Sequence, residues 1–436
     1  MGFIAQIIPS LDDDGLASVI GLAWPQRLRP MRRRGDALSR QPLRFRNNGF
    51  EIFRQRPGRF NLRVSAWRQM AGKIPLSRVH QSETIDRRIL EVVHGGNYIL
   101  GPECKSFEKE LAGYFGVKHV VLSSSWTAAV HLLHIAQRLK PGDEILVPSL
   151  TAFPSIEPMI HVGAKPVFCD IDDTYTIDPI DARKRITKRT AGILPVHLYG
   201  RPANIDAIQD MARDHGLWMI EDCAQSHGAK WNGKRAGSYG QHAAFSFYPS
   251  KNLTVYGDGG AIATEDDAIA ERVRKLRNHG RKDKYLHEEV GYNLRFNEIQ
   301  AAVGREQLKV LDELNAGRRR AAEWYRRELA GVKGLVLPPA DQDGLTESVY
   351  HMFVIRLDTY DIREGLGNAL KEQGIETGVH YPVPNHLQPA ITATYGAQAP
   401  LPRTEDYTKR ILSLPMFPSL REDEVKTVAN AIKAYL

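Results

Sequence analysis

The sequence predicts an α/β protein: a large domain on a mainly parallel sheet covered on both faces, then a smaller α+β domain. Three observations carry this. From Ile74 onward short apolar runs alternate with helical patterns. The strand-like runs are apolar almost throughout, as strands buried on both faces are. After about residue 329 the alternation gives way to a shorter strand, helix and strand pattern.

In order, "HVVLSS" reads as a strand and "TAAVHLLHIAQRLK" as an amphipathic helix; "DEILVPS" is a strand, "SIEPMIHVG" a helix and "KPVFCDID" a strand. The strand "AGILPVHLYG" precedes the helix "NIDAIQDMARDHG" and the strands "LWMIEDCA" and "AAFSF". Strands separated by helices of this length imply βαβ units. A helical stretch over residues 297–329 closes the region. "SVYHMFVIRLD", "IREGLGNALKEQGI" and "TGVHYPV" then read as strand, helix and strand, and "REDEVKTVANAIKAYL" as a terminal helix. The expected division is 1–73 as a basic, disordered extension, 74–329 as the large domain and 330–436 as the small one.

The 436 residues suit two or three domains, and no apolar run approaches the length of a membrane span. The three cysteines (Cys104, Cys169 and Cys223) are scattered, with no CxxC or Cys/His cluster. Neither a disulfide framework nor a zinc site is indicated, and a reducing, cytoplasmic setting fits. Residues 1–70 hold thirteen arginines and five acids, the whole of the net +8, so the body is neutral. A basic arm can bind nucleic acid or anionic lipid, but a disordered extension is the simpler reading. "MAGKIPLSR" at Met70 also resembles a natural start, and Asp12, Asp13 and Asp14 argue against a transit peptide.

Three places carry candidate chemistry. "SSSWTAAVHLL" sets small hydroxyl residues at a strand-to-helix junction, where free N–H groups and the helix dipole favour an anion. Ser125 or Thr127 either caps the helix or binds a phosphate. "MIEDCAQSHG" ends an apolar strand in Glu221 and Asp222, where open α/β sheets bind ligands. A carboxylate there can hold a metal, act as a base or pair with a cationic cofactor nitrogen. No ligand-spaced partners accompany it, so no metal is expected. "FSFYPSKNLTVYGDGG" places Lys251 between a buried strand and the glycines Gly257, Gly259 and Gly260. A phosphate-binding helix start, a strand-end aspartate and a loop lysine together match what pyridoxal phosphate needs: a cradle, an anion at its ring nitrogen and an amine.

Over residues 74–436 the chain also resembles the DegT/DnrJ/EryC1/StrS sugar aminotransferases. The resemblance rests on "NYILGPECKSFEKELAGYFGVKH", "PGDEILVPS", "GAKPVFCDID", "PVHLYGRPANID", "EDCAQSHGA", "FSFYPSKNLTVYGDGG", "GYNLRFNEIQAAVGREQL" and "LSLPMFPSL". It implies the fold type I architecture of pyridoxal-phosphate transferases, with a seven-stranded sheet. It implies that Lys251 carries the cofactor as a Schiff base and moves protons, that Asp222 pairs with the ring nitrogen and that Gln225 lies near the ring hydroxyl. Trp126, Thr127 and Ser246 would hold the phosphate. Asn293 would reach the phosphate of a neighbouring subunit in a homodimer.

Two features depart from the family pattern. Ala152 beside Phe153 stands where an aromatic often stacks on the ring, and Trp126 replaces a small residue. The indole either shapes the sugar pocket or packs against the helix. Arg281, Lys284, Tyr285 and His287, in "NHGRKDKYLHEEVGYN", would face a nucleotide diphosphate or the donor carboxylate, or else form a solvated loop. His380 and His386, in the "GVHYPVPNH" loop, border the pocket in relatives or are ordinary histidines. The implied reaction moves an amino group from glutamate to a keto-sugar nucleotide, with a lean to the 4-keto over the 3-keto position. Related dehydratases replace the lysine with histidine, so Lys251 argues for amino transfer. A non-catalytic, cofactor-binding regulator is the alternative of a different class.

Overall fold

The structure, a computed structural model, describes residues 44–47, 50–56, 59–64, 73–342 and 344–436. The chain divides into two units, 1–73 and Ile74–Leu436. In the first, β1 (Arg44–Asn47), β2 (Phe50–Arg56) and β3 (Arg59–Val64) form an antiparallel sheet in that order. The sequence expectation for 1–73 is a disordered extension. The sequence supplies the reason for the strands: alternating apolar and polar residues, with Asn48-Gly49 and Pro57-Gly58 between the runs as turn signals. The rest of that expectation lies outside the described residues.

The second unit opens with α1 (Glu83–Gly95) and α2 (Pro102–Phe115). Its strands are β4 (His119–Ser123), β5 (Glu144–Pro148), β6 (Lys165–Cys169), β7 (Thr190–Ile193), β8 (Trp218–Asp222), β9 (His242–Ser246) and β10 (Gly260–Thr264). They form one seven-stranded sheet in the order β4-β10-β9-β8-β7-β5-β6. Only β10 runs antiparallel to its neighbours. This is the expected sheet, and its strands β5, β9 and β10 are buried along their whole length.

Helix α3 (Trp126–Ala136) follows β4, α4 (Ile205–His215) leads into β8, and α5 (Asp267–Leu276) follows β10. The helical stretch expected over 297–329 is two helices, α6 (Glu298–Lys309) and α7 (Leu311–Leu329), broken at Val310. β11 (Phe353–Leu357), α8 (Tyr360–Glu372), β12 (Ile411–Leu414) and α9 (Glu422–Tyr435) build the smaller layer. There β11 pairs antiparallel with β12 and with the short strand Leu335–Val336. Tyr325 and Leu329 of α7 share that layer's core with Phe353, Leu366, Leu414 and Ile432.

"TGVHYPV" is not a strand. It makes a single bridge, Gly378 to Ser413. Pro382 and Pro384 lack the N–H that a longer ladder needs, so the chain leaves the sheet edge there. Among the described residues no helix is long and apolar enough to cross a membrane.

Candidate active site

The site forms where β4, β10, β9 and β8 end side by side. Ser246, the last residue of β9, pairs with Gly260, which pairs in turn with Ser123 at the end of β4. Two residues back, Ala244 pairs with Asp222 at the end of β8. One row brings together residues 123, 260 and 246, with Asp222 two residues back along β9, although the sequence spreads them over more than a hundred positions.

The row ends against the start of α3. Ser125 caps that helix, its hydroxyl accepting from the Ala128 N–H at 3.0 Å. Ser125 is therefore the cap, and Thr127 is left half-buried in the first turn. Gly260 lies so close that a Cβ there would stand 2.4–2.5 Å from the Ser125 carbonyl and the Trp126 nitrogen. The glycine lets the strand approach the helix N-terminus, where free N–H groups favour an anion.

The Trp126 side chain is buried in the sheet core with Val130, Ile145 and Leu150, and its indole N–H donates to the Ala244 carbonyl at 3.2 Å. Packing, not shaping of a sugar pocket, accounts for its bulk. Only the Trp126 backbone is available to a phosphate. Phe153 packs at the edge of the same cluster.

The two strand-end acids have opposite roles. Glu221 faces away from the site and accepts from the N–H groups of Gly237, Tyr239 and Gly240 at 2.7–2.8 Å and from His197 at 3.0 Å. Burial alone would raise its pKa, but the His197 hydrogen bond, with the Gly240 and Gly237 amides, holds it low. It anchors the loop after β8. The neighbouring His197 spends its other ring nitrogen on the Ala203 N–H at 3.0 Å. The close trio of His197, Glu221 and Cys223 therefore has no histidine lone pair left for an ion.

Asp222 faces the site. Its carboxylate accepts from the Ala224 N–H at 3.0 Å and the Ser155 hydroxyl at 2.8 Å, and Ser155 is held in turn by Thr151 at 2.8 Å. Burial pushes its pKa up. The Ala224 and Ser155 hydrogen bonds and the Lys251 charge oppose that without cancelling it. A buried carboxylate of this kind lacks a full counter-charge, and a cationic ring nitrogen supplies one.

Lys251 sits in the turn after β9, its N–H donating to the Tyr248 carbonyl at 2.8 Å. Its amine has no hydrogen-bond partner among the described residues. Burial lowers its pKa to about 8, with the Asp222 charge pulling weakly the other way. A lysine depressed to this value is partly neutral near pH 7.5 and able to attack a carbonyl.

The sign of the pH effect follows. Below about 8 the amine is protonated; as pH rises through that value it becomes a nucleophile. The cofactor-free protein should capture pyridoxal phosphate faster as pH rises, levelling off above about 8. Stopped-flow absorbance measures this, and a rate that falls over the same range would contradict it.

Gln225 is buried, its amide oxygen accepting from the Tyr199 N–H at 2.7 Å and its NH2 reaching the Tyr381 hydroxyl at 3.4 Å. His380 is half-buried, its Nδ1 paired with the Ser413 hydroxyl at 2.9 Å and its carbonyl accepting from the Tyr199 hydroxyl. Burial and then the Lys251 charge lower its pKa. The His386 ring is fully buried between the Ser149 hydroxyl at 2.7 Å and Glu405 at 3.2 Å, an internal tie.

Arg281, Tyr285, His287 and Asn293 lie on a surface hairpin whose base, at Leu294, accepts from the Ser124 N–H at 3.2 Å and the Ser123 hydroxyl at 3.3 Å. Arg281 bridges His287, and Asn293 bridges Asn278. Tyr285 is 81% exposed, with Lys284 over its ring. No hydrogen bond joins this hairpin to the residues around Lys251 among the described residues. Ser155 and Tyr381 were not foreseen. The only sequence signal for either is that Ser155 opens the run "SIEPMIHVG" and Tyr381 lies in "GVHYPVPNH".

The residues fit pyridoxal phosphate: a glycine-opened anion cradle, an unpartnered amine and an under-compensated carboxylate. The comparisons decide the family. Residues 79–433 match the DegT/DnrJ/EryC1/StrS aminotransferase family. The chain belongs to that family. It is an aminotransferase of fold type I, and pyridoxal phosphate is its cofactor. It is 43% identical over 351 residues to a dTDP-3-amino-3,4,6-trideoxy-alpha-D-glucose transaminase from Streptomyces venezuelae, covering 80% of this chain and 91% of the relative. It is 42% identical to a UDP-N-acetyl-3-dehydro-alpha-D-glucosamine 3-aminotransferase from Acidithiobacillus ferrooxidans, covering 79% and 92%. The crystal structure of Streptomyces venezuelae DesV in complex with a ketimine intermediate matches with a TM-score of 0.79 at 41% identity, covering 84% of this chain and 99% of that one.

The cradle carries a further prediction. In Gly260→Ala the added carbon meets backbone rather than a flexible side chain. Overpacking of this kind costs about 1–3 kcal/mol. Cofactor affinity should fall at least about tenfold, read by titration of the cofactor's absorbance. Unchanged affinity would mean that the helix start does not hold the phosphate.

Proposed function

We propose that this aminotransferase moves an amino group from glutamate to a keto carbon of a nucleotide-linked deoxysugar, acting as a cytoplasmic homodimer. The observation that carries the reading is the convergence of the Lys251 amine, the Asp222 carboxylate and the cradle of Ser246, Gly260 and the α3 start at one end of the sheet. Bound there, the cofactor supplies an electron sink conjugated to the reacting carbon. Trp126 and Thr127 N–H groups with the Ser246 hydroxyl hold its phosphate. Asp222 keeps the ring nitrogen protonated, and Gln225 lies near the ring hydroxyl. The Lys251 amine, once free, takes and returns the proton that moves during transfer.

Both transaminases named above act at the sugar's 3-position, which favours the 3-keto half of the expectation over the lean to the 4-position. The dimer reading rests on the hairpin. It exposes Leu286 (51%), Val290 (94%) and Tyr292 (39%) beside Asn293, an apolar surface that a second copy would cover. In that assembly Asn293 reaches the neighbour's phosphate, and Arg281, Tyr285 and His287 face the neighbour's nucleotide diphosphate or donor carboxylate. His380 and Tyr381 border the sugar from within the same chain.

Two measurements test this. Sedimentation should give a dimer, and a Val290→Glu variant should shift it toward monomer with loss of turnover; a fully active monomer would refute the shared site. A panel of 3-keto and 4-keto sugar nucleotides should give amination at carbon 3. Product aminated only at carbon 4 would overturn the positional assignment.

A further inference from the structure

Behind Lys251 lies a buried chain of amides whose hydrogen-bond polarity can be deduced atom by atom. Asn252, next to the lysine, is 5% exposed, and Asn315, on α7, is 1% exposed. The Asn315 NH2 points at the His227 carbonyl at 2.8 Å, and the Asn252 NH2 points at the Val349 carbonyl at 3.0 Å. A carbonyl only accepts, so both amides are fixed in orientation. The Asn252 NH2 also donates to the Asn315 oxygen at 2.8 Å. The Asn252 oxygen therefore faces His351 Nδ1 at 3.1 Å, and Nδ1 must carry the proton.

His351 is 4% exposed, and its Nε2 has no partner among the described residues. With the proton on Nδ1, that nitrogen is a bare lone pair. Leaving a buried acceptor unpaired is costly, so the arrangement calls for a donor. Burial holds the ring neutral, and Lys251 is the charge it feels most, followed by Arg318, which donates to the His351 carbonyl at 3.2 Å.

We propose that Asn252 and Asn315 lock His351 in its Nδ1–H tautomer, making it a positioning residue that holds, through Asn252, the turn that carries Lys251. The inference rests on the aminotransferase reading for its functional consequence, but the tautomer lock itself stands on hydrogen bonds alone.

The test begins on cofactor-free protein labelled with 15N-histidine. Two-bond 1H–15N correlation should show His351 neutral with Nδ1 protonated from pH 6 to 8.5. In Asn252→Ala the ring should become a mixture of tautomers. Proton on Nε2 in the wild type, or an unchanged ring in the variant, overturns the lock. With the loaded enzyme, His351→Phe should lower kcat about tenfold with KM for glutamate within twofold, and His351→Gln should restore part of the loss. A wild-type kcat in His351→Phe overturns the positioning role. If instead the wild type fails to react with glutamate, the function reading falls while the NMR result still decides the lock.

Discussion

Replacing Lys251 by alanine should slow the glutamate half-reaction by about 10²–10⁴-fold, the range for loss of a positioned proton-transfer group. No neighbour is placed to substitute. Asp222 is bonded to Ala224 and Ser155, His380 Nδ1 is spent on Ser413, and burial makes His227 and His351 weak bases, with His227 brought down to about 3. The cofactor-free variant should be no less stable than the wild type near pH 7. The lysine's pKa is depressed on folding, so its stability contribution is present above its unfolded value and lost as pH falls through about 8. At pH 7 the ammonium is a burden that alanine removes. Single-turnover spectroscopy and thermal melts separate the two effects. A variant that keeps wild-type half-reaction rates would remove Lys251 from the chemistry.

Asp222→Asn is the second large effect. Asparagine keeps the size and can still satisfy Ala224 and Ser155, but it cannot hold a ring nitrogen in its protonated form. Loss of such a preorganised electrostatic partner costs on the order of 10²–10³-fold in rate. The carboxylate's pKa is already raised by burial, so the neutral side chain should leave the cofactor-free protein at least as stable. A fall in rate with an unchanged melting temperature would assign the residue to chemistry. A melting temperature that drops in parallel with the rate would assign it to folding.

Much of this site was legible because its signals are local. Lys251 lies between a buried strand and a glycine cluster, and Asp222 ends an apolar run, so each motif states its place in an α/β sheet. The sheet itself was readable because β5 and β9 are buried on both faces and so carry unbroken apolar runs. What the sequence hid depends on distant pairing. Ser155 reaches Asp222 across 67 positions, and Asn315 reaches Asn252 across 63. No periodicity marks such side chains. Glu221 and Asp222 are adjacent and alike in type, and only the alternation of a strand sends one to the loop and the other to the site. Trp126 and His386 show the converse. Each is a residue type that suggests a binding role, and each proved to be held inside the protein by one or two hydrogen bonds. The segment "TGVHYPV" has strand-like apolar residues, but Pro382 and the following Pro384 keep it from pairing beyond one bridge.

The most direct test of the central claim is the visible absorption spectrum of the loaded wild-type protein, first with glutamate and then with a 3-keto sugar nucleotide. Glutamate should convert the lysine-bound cofactor band to that of the amine form, and the keto sugar should restore it with stoichiometric release of amino sugar. A band that glutamate leaves unchanged would contradict an aminotransferase that draws its amino group from glutamate.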